Sequence, residues 1–452
     1  MFHCFFDISM IHFPELFEER TRNLLGDEYT LLKEALLTPP PVSIRVNNRL
    51  KDYHPSENRV AWSRHGYYLA SRPVFTTDPL IHAGAYYVQE ASSMFLEELV
   101  GQLAPNAHCV LDLCAAPGGK STLLSQAIPN DSLLVSNEFV RSRSMILAEN
   151  LIKWGNPNIV VTNNSPEDFQ RLPSFFDLMV IDAPCSGEGM FRKDPNAISE
   201  WSLSNVSSCA IRQQQIISDA WDALATDGIL LYSTCTYNRE ENEDTVDFVC
   251  RELGAELLQP DISSFEGIVF SGKGYRFYPH RIKGEGFFVA ALRKTAPSPS
   301  PTRIKNDLKK LKLKTSEQFS NYILPDIRIS IYDTEQQLFG LPHPWQEEIL
   351  LLRNRLNCLV TGIQLAERKG KDLIPSHQLA LSKLLNRNAI QQVEVDRTTA
   401  LQYLKREAIT LTNAPMGYVL ICYEQQALGW VKNMGNRSNN LYPQHWRIRM
   451  NL

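Results

Sequence analysis

Two cysteines stand just past the ends of apolar runs. Cys185 follows Phe176–Asp182 in the stretch Asp182-Ala183-Pro184-Cys185-Ser186-Gly187-Glu188-Gly189. Cys235 follows Leu230-Leu231-Tyr232 in Ser233-Thr234-Cys235-Thr236-Tyr237-Asn238. A cysteine kept only for packing sits more often inside a strand or helix. One such thiol is easily an accident of packing, but two of them, with Asp182 alongside, point to a nucleophile and a helper. A thiolate nucleophile splits one difficult step into easier ones. On a pyrimidine ring, addition at carbon 6 creates an enamine whose carbon 5 can attack an electrophilic methyl. An acid near the ring nitrogens stabilises the charge that develops there. The carbon 5 proton must then leave and the thiol be eliminated, a release that a second group can assist. Asn238 with Glu241 reads as a capping box, which predicts a helix opening directly after Cys235, its dipole favouring the thiolate.

A methyl donor needs a cradle. Val110-Leu111-Asp112-Leu113 reads as a buried strand, Cys114-Ala115-Ala116-Pro117-Gly118-Gly119 as a small-residue turn, and Lys120-Ser121-Thr122 as the start of a helix. Glycines let the backbone approach a ligand, and the helix N-terminus offers free N–H groups. A P-loop-like nucleotide hydrolase uses such a cradle, with G-x-x-x-x-G-K-[ST]. Gly119-Lys120-Ser121 fits the end of that pattern, but Cys114 stands at its opening glycine. An S-adenosyl-L-methionine (SAM) methyltransferase uses one too, with a strand-end acid, here Asp112, and a small-residue loop around the methionine part. In the first reading Asp182 is a magnesium-binding acid; the Pro184-Cys185 that follows it favours the second. Glu138, ending the strand Leu133–Glu138, is placed to accept both ribose hydroxyls, or simply to cap a helix.

These residues need elements to position them. From 105 to 295, apolar strands at 109–113, 132–137, 158–162, 176–182, 228–233 and 286–292 alternate with helices near 119–128, 141–154, 205–225 and 239–253. Such alternation predicts an α/β fold: an open, mostly parallel sheet with helices on both faces and ligands at the carboxyl ends of the strands. The rest of the 452 residues leaves room for further domains. Residues 1–104 form a mixed N-terminal region, with a helix over Arg20–Leu37 and a strand over 42–47. That strand puts Arg45 on a face where it meets a phosphate or solvent, and Tyr86–Ser93 then opens a helix beside the cradle. Residues 296–324 make a Pro/Ser linker with six basic residues from Arg303 to Lys314, an RNA-backbone contact or a solvated face. Within 325–452, a hairpin at Tyr418–Lys432 and a tail combining arginines with Tyr442 and Trp446 suit an RNA-binding or docking module. Arg192-Lys193, after the Cys185 loop, suit substrate phosphates or a surface turn.

Composition sets limits. Hydrophobic residues are 43%, charged residues 21% and the net charge -4, so this is an ordinary globular chain in which RNA would meet a local basic patch. Nine scattered cysteines without a C-x-x-C pair predict no metal, no disulfide framework and a reducing cytoplasm. Met1–Phe6 lack a basic flank and meet Asp7, so no signal peptide is read, and no run is long enough to span a membrane.

The stretches L-D-L-C-A-A-P-G-G-K, N-E-F, D-A-P-C-S-G-E-G, S-T-C-T-Y-N-R-E-E-N-E and P-H-R-I-K-G-E-G-F-F-V-A together resemble the Fmu/Sun (NOL1/NOP2/Sun-type) family of RNA cytosine-C5 methyltransferases, in its RsmF-like bacterial branch. The resemblance is strong over about 40–295 and weaker in the C-terminal region. It implies a Rossmann-like SAM-dependent methyltransferase core, a mixed N-terminal region and a small α+β PUA-like C-terminal domain that binds RNA. It assigns Cys114, Ala115, Ala116, Pro117, Gly118, Gly119 and Lys120 to the methionine pocket of SAM, and Glu138 to its ribose. Arg143 is assigned to the cofactor site as well, and Asp182 sits between cofactor and cytosine. Cys235 becomes the nucleophile and Cys185 the group that assists release; spacing alone does not choose between the two thiols. Where the family usually has an Asp at the adenine end, this chain has Ser165, so the adenine contact falls to Ser165 or to Asp168 reaching back. The implied substrate is a flipped or unpaired cytosine, in small-subunit rRNA or alternatively in tRNA, met by a monomer. A non-catalytic RNA-binding ribosome factor is the alternative from a different class, against which the intact Cys185, Cys235 and Asp182 speak.

Overall fold

A computed structural model describes residues 12–50, 53–56, 58–300, 314–411 and 414–450. The basic run from Arg303 to Lys312 therefore lies outside the described residues. Near the N-terminus, Gly26 at φ 58° interrupts the expected single helix. Glu15–Leu25 and Tyr29–Leu36 form separate helices joined by a 3₁₀ turn. Three strands follow, β1 (Val42–Val46), β2 (Gly66–Leu69) and β3 (Tyr86–Val88), in an antiparallel sheet of order β2-β1-β3. Tyr86–Val88 is thus a strand, not the start of a helix. Its aromatic and β-branched residues favour pairing with β1, and the α-helix begins only at Leu96.

Arg45 meets neither phosphate nor solvent. It is 1% exposed. Nε donates to Gln89 Oε1 at 2.8 Å, and Nη2 to Thr122 Oγ1 at 2.5 Å and to the Gly119 carbonyl at 3.3 Å, while Nη1 meets Gln126. The guanidinium lies over the Trp154 ring, 4.7 Å from its centroid. Burial pushes its pKa down to about 9, so it stays charged at neutral pH. Arg45 thereby clamps the N-terminal sheet onto the helix that opens the cradle.

The central sheet follows from the apolar runs. β4 (Cys109–Asp112), β5 (Leu133–Asn137), β6 (Ile159–Thr162), β7 (Phe176–Asp182) and β8 (Leu224–Thr234) are mutually parallel, in the order β8-β7-β4-β5-β6. Alternate residues feed two cores. Val110, Leu134 and Val180 pack with Leu123, Leu147 and Leu99 on one face; Leu111, Val135 and Met179 pack with Ile217, Val249 and Ile349 on the other. A sheet covered on both faces explains why its strands read as unbroken apolar runs. From β4 the chain steps outward through β5 and β6, then returns to place β7 and β8 on the other side. Ligands bind at such a reversal, outside the carboxyl ends of the strands.

Both edges extend further than the pattern indicates. Beyond β8, β12 (Phe287–Lys294) runs antiparallel and pairs with β9 (Ala255–Leu258) and β11 (Tyr275–Phe277), which in turn pairs with β10 (Val269–Phe270). Strands of two to four residues carry no readable period. Beyond β6, the strand Cys358–Thr361 pairs antiparallel, so the C-terminal region completes the core sheet.

The rest of that region holds two sheets, one of five strands between Lys314 and Pro375 and one of four between Gln392 and Asn440. The hairpin lies in the second, as Gly417–Tyr423 and Gln426–Asn433. Tyr442 is fully buried, edge-on to His377 and Tyr403, and Trp446 covers His377 and Lys153. The Tyr442 ring is therefore not free to stack on a base, whereas Trp446 is only partly buried. No helix of the described residues is long and apolar enough to cross a membrane.

Replacing Arg45 by Met should therefore act on stability. The loss of its buried hydrogen bonds is expected to cost ~2 kcal/mol and to lower the calorimetric unfolding midpoint. RNA affinity should keep the parental salt dependence; a shallower salt slope with unchanged stability would restore the phosphate role.

Candidate active site

The carboxyl ends of β4, β5, β7 and β8 open into one cleft of about 1110 Å³, lined among others by Cys114, Glu138, Ser165, Asp182, Cys185 and Cys235. β7 and β8 are adjacent and in register, with Asp182 opposite Ser233. Each strand is followed by a cysteine loop, and the two sulfurs lie 3.0 Å apart. Both thiols are free. The Cys185 pKa is pushed well above the ordinary thiol range, first by its hydrogen bond with Cys235 and then by burial.

Buried carboxylates hold the two loops at this spacing. Glu241 Oε2 accepts the Ser186 N–H at 2.9 Å and Gln213 Nε2 at 2.8 Å, while Oε1 accepts Asn238 Nδ2 at 2.6 Å. Glu188 Oε2 reaches across the other way, to the N–H groups of Tyr237 at 2.8 Å and Asn238 at 2.9 Å, and Oε1 takes Trp201 Nε1 at 3.0 Å. The Gly189 N–H donates to the Cys235 carbonyl at 2.9 Å. A Cβ on Gly189 would lie 2.5 Å from the Gly286 carbonyl oxygen, so this approach needs glycine. Glu188 and Glu241 bond the two cysteine loops together, and sequence reasoning did not assign them to the site. The available signal was an acid inside each cysteine motif. Only half of the expected capping box forms: the Glu241 N–H donates to Asn238 Oδ1, but the Asn238 N–H goes to Glu188 and Glu241 takes the Asn238 side-chain amide instead, and the helix opens only at Glu243 with Asn242 as its N-cap. The predicted dipole contact with Cys235 is therefore absent.

Asp182 faces the thiols from the end of β7. Its Oδ2 pairs with Lys120 Nζ at 2.8 Å, and its Oδ1 accepts Ser233 Oγ at 2.8 Å. Burial opposes the Lys120 charge, but Asp182 outweighs it and the ammonium pKa rises. Lys120 thus ties the cradle helix, Gly119–Ala127, to the catalytic strand ends. Gly118 at φ 117° turns the chain into that helix.

The assigned cofactor residues divide in two. Cys114, Ala116, Glu138, Arg143, Ser165 and Asp182 line the cleft, whereas Ala115, Pro117, Gly118, Gly119 and Lys120 are not among its lining residues. Glu138 is 4% exposed. Its Oε1 accepts the Val140 N–H at 2.8 Å and its Oε2 lies 3.6 Å from Arg143, which also donates to the Ala116 carbonyl at 2.9 Å. Ser165 lines the cleft, whereas Asp168 turns back to cap its own helical turn through Asn164 and Ser165. These bonds and Arg171 draw the Asp168 pKa down despite burial. Asp112 does not reach the cleft: it is fully buried, with Oδ2 accepting Ser121 Oγ at 2.6 Å and Oδ1 without a partner. Arg192 is likewise committed, to Glu285 at 2.9 Å and the Gly284 carbonyl at 2.6 Å, and is not a free phosphate ligand.

The comparisons with known proteins bear on this site directly. Residues 100–293 match the family described as 16S rRNA methyltransferase RsmB/F. Residues 13–91 match the N-terminal domain of 16S rRNA methyltransferase RsmF, and residues 391–448 match the methyltransferase RsmF PUA domain. A protein named ribosomal RNA small subunit methyltransferase F from Vibrio cholerae is 32% identical, over 96% of this chain and 97% of its own length. The chain belongs to the RsmB/F methyltransferase family. A relative of the same name from Erwinia tasmaniensis is 30% identical, over 96% of this chain and 97% of its own. Among solved structures, a methyltransferase homologue from Pyrococcus horikoshii superposes with a TM-score of 0.54 at 28% identity, covering 62% of this chain and 95% of its own. NSun6 from the same organism, solved with SFG, shares the fold at a TM-score of 0.53 and 22% identity, covering 63% and 99%. This RsmB/F chain is an RNA methyltransferase that takes its methyl group from SAM.

The cleft fits that cofactor. Glu138 offers a buried carboxylate with one oxygen fixed by a backbone N–H and the other facing the cleft, as a ribose diol requires. Phe139, 67% exposed, and Val140 line the cleft beside it, apolar surface for an adenine ring. In the RsmB/F cradle Asp112 is a structural acid. Burial pushes its carboxyl pKa from 3.8 up to about 7. The folded state then holds its proton more tightly than the unfolded state, so this group's contribution falls as pH rises from about 4 to 7. Asp112→Asn in the ligand-free protein should gain stability relative to the parent between pH 5 and pH 8, by at least ~1 kcal/mol. Thermal unfolding of both proteins across that range checks this; a pH-independent difference would overturn it.

Proposed function

We propose that this enzyme methylates carbon 5 of a cytosine in small-subunit rRNA through a covalent adduct between Cys235 and carbon 6. The observation that carries the proposal is the sulfur pair, 3.0 Å apart at the floor of the cleft and flanked by Asp182. When bound, SAM supplies an electrophilic methyl. Residues Cys114–Lys120 hold its methionine part, Glu138 and Arg143 its ribose end, and Ser165 its adenine. Cys235 adds to carbon 6 and makes carbon 5 nucleophilic. Asp182, held by Lys120 and Ser233, fixes the ring edge beside the thiols. Cys185, with its sulfur 3.0 Å from that of Cys235, then assists the elimination that frees the product. The base must leave its stack to reach the floor of the cleft. The rRNA assignment draws on the names of the relatives, among them those from Erwinia tasmaniensis and Vibrio cholerae that match nearly end to end with this chain.

Cys235→Ala should abolish methyl transfer and leave no adduct. Cys185→Ala should accumulate a protein–RNA species that migrates slowly on a denaturing gel. The opposite pattern would exchange the two roles. Bisulfite sequencing of a deletion strain should lose one methylated cytosine from small-subunit rRNA; a loss confined to tRNA would replace that substrate.

A further inference from the structure

The segment that completes the core sheet ends directly on the loop at the adenosine end of the cleft. Asn357, just before the strand Cys358–Thr361, makes two backbone bonds there: its N–H donates to Asn164 Oδ1 at 2.9 Å, and its carbonyl accepts the Asn163 N–H at 3.0 Å. From those two asparagines the contacts run straight to the cofactor residues. Asn163 Nδ2 donates to the carbonyls of Glu138 at 2.7 Å and Phe139 at 2.8 Å. Asn164 Nδ2 holds Asp168 at 2.9 Å, which closes the turn that presents Ser165. The Asn164 backbone is gripped on both sides by the Asn137 side chain, at 3.0 Å each. Asn164 is 8% exposed. Removing the Asn357 N–H would leave a nearly buried amide oxygen short of a donor, and the turn it anchors would lose one of its fixed points.

We propose that Asn357 is a positioning residue for SAM, acting through Asn163 and Asn164 on Glu138 and Ser165. Cofactor affinity is then set in part by how the C-terminal region docks on β6. Thermodynamic reciprocity follows: RNA that shifts the docking of that region shifts SAM affinity, and SAM shifts RNA affinity by the same factor.

The inference rests on the placement of adenosine beside Glu138 and Ser165 proposed above. Four full-length variants test it. Asn357→Pro removes the N–H donor, and Leu356 before it already has the extended backbone that a following proline requires (φ -123°, ψ 158°). Asn164→Ala removes the acceptor from the core side together with the Nδ2 bond to Asp168, and leaves the strand pairing in place; Asn164→Asp keeps an acceptor for the Asn357 N–H but not the Nδ2 donor, and should show how much of the change runs through Asp168. Asn357→Ala keeps both backbone bonds, loses only the long donation from its Nδ2 to the Asn163 carbonyl at 3.4 Å, and serves as the control. Calorimetric titration with SAM should show a Kd raised about tenfold for Asn357→Pro and Asn164→Ala, and within about twofold of parental for Asn357→Ala. In the ligand-free proteins, amides of residues 138–140 and 163–168 should exchange hydrogen faster in the first two variants. Parental Kd values in both Asn357→Pro and Asn164→Ala would overturn the inference. Should Asn357→Pro fail to fold, Asn164→Ala decides alone. Glu138→Ala separates the two levels: if it leaves the Kd unchanged, the adenosine placement itself fails, whereas weakened binding by Glu138→Ala with parental binding by the asparagine variants overturns only the role of Asn357.

Discussion

Two buried acids, Glu188 and Glu241, set the spacing on which the chemistry depends. Each belongs to one cysteine loop and accepts backbone N–H groups of the other. Taking a carboxylate out of water is costly unless its oxygens are filled with donors. Here they are filled by the loops that must be held, so desolvation and positioning are answered by the same bonds. Burial raises the Glu241 pKa, while the N–H groups of Ser186, Asn238 and Gln213 pull the other way. The sulfurs meet because these bonds permit only one register between the loops.

A second layer aligns the thiols with the cofactor. The reversal of strand order puts the cradle after β4 next to β7, and the Lys120–Asp182 pair crosses that boundary. One ammonium therefore fixes the cradle helix and the acid beside the thiols together. Arg45 fastens the N-terminal sheet to the same helix from behind, so three parts of the chain meet on Gly119–Ala127.

Most of this order was legible in the residues. The five parallel strands announce themselves because burial on both faces demands unbroken apolar runs, and the cysteine motifs announce themselves because strand-end thiols are unusual. What escaped was set by long-range contact. Arg45 looked available on an alternating strand, but Gln89, Thr122 and Trp154 surround it. Arg192 looked like a phosphate ligand until Glu285 took it. Tyr442 looked like part of a stacking platform, yet its ring is buried edge-on to His377. Asp112 carried the expected acid at the expected place, but the loop covers it. No local pattern could indicate that Cys358–Thr361 pairs with Ile159–Thr162, a strand some two hundred residues earlier.

That added strand also has a colloidal consequence. β6 is buried along its whole length and, at the rim of the sheet, would offer a row of unpaired N–H and C=O groups to any passing chain. Native sheets shield such rims with charge, proline, bulges or a covering segment. Ile159–Thr162 has neither charge nor proline, and its shield is the segment from the far side of the linker. A core expressed alone, ending at 295, would carry this rim bare and would be prone to self-association for reasons unrelated to catalysis.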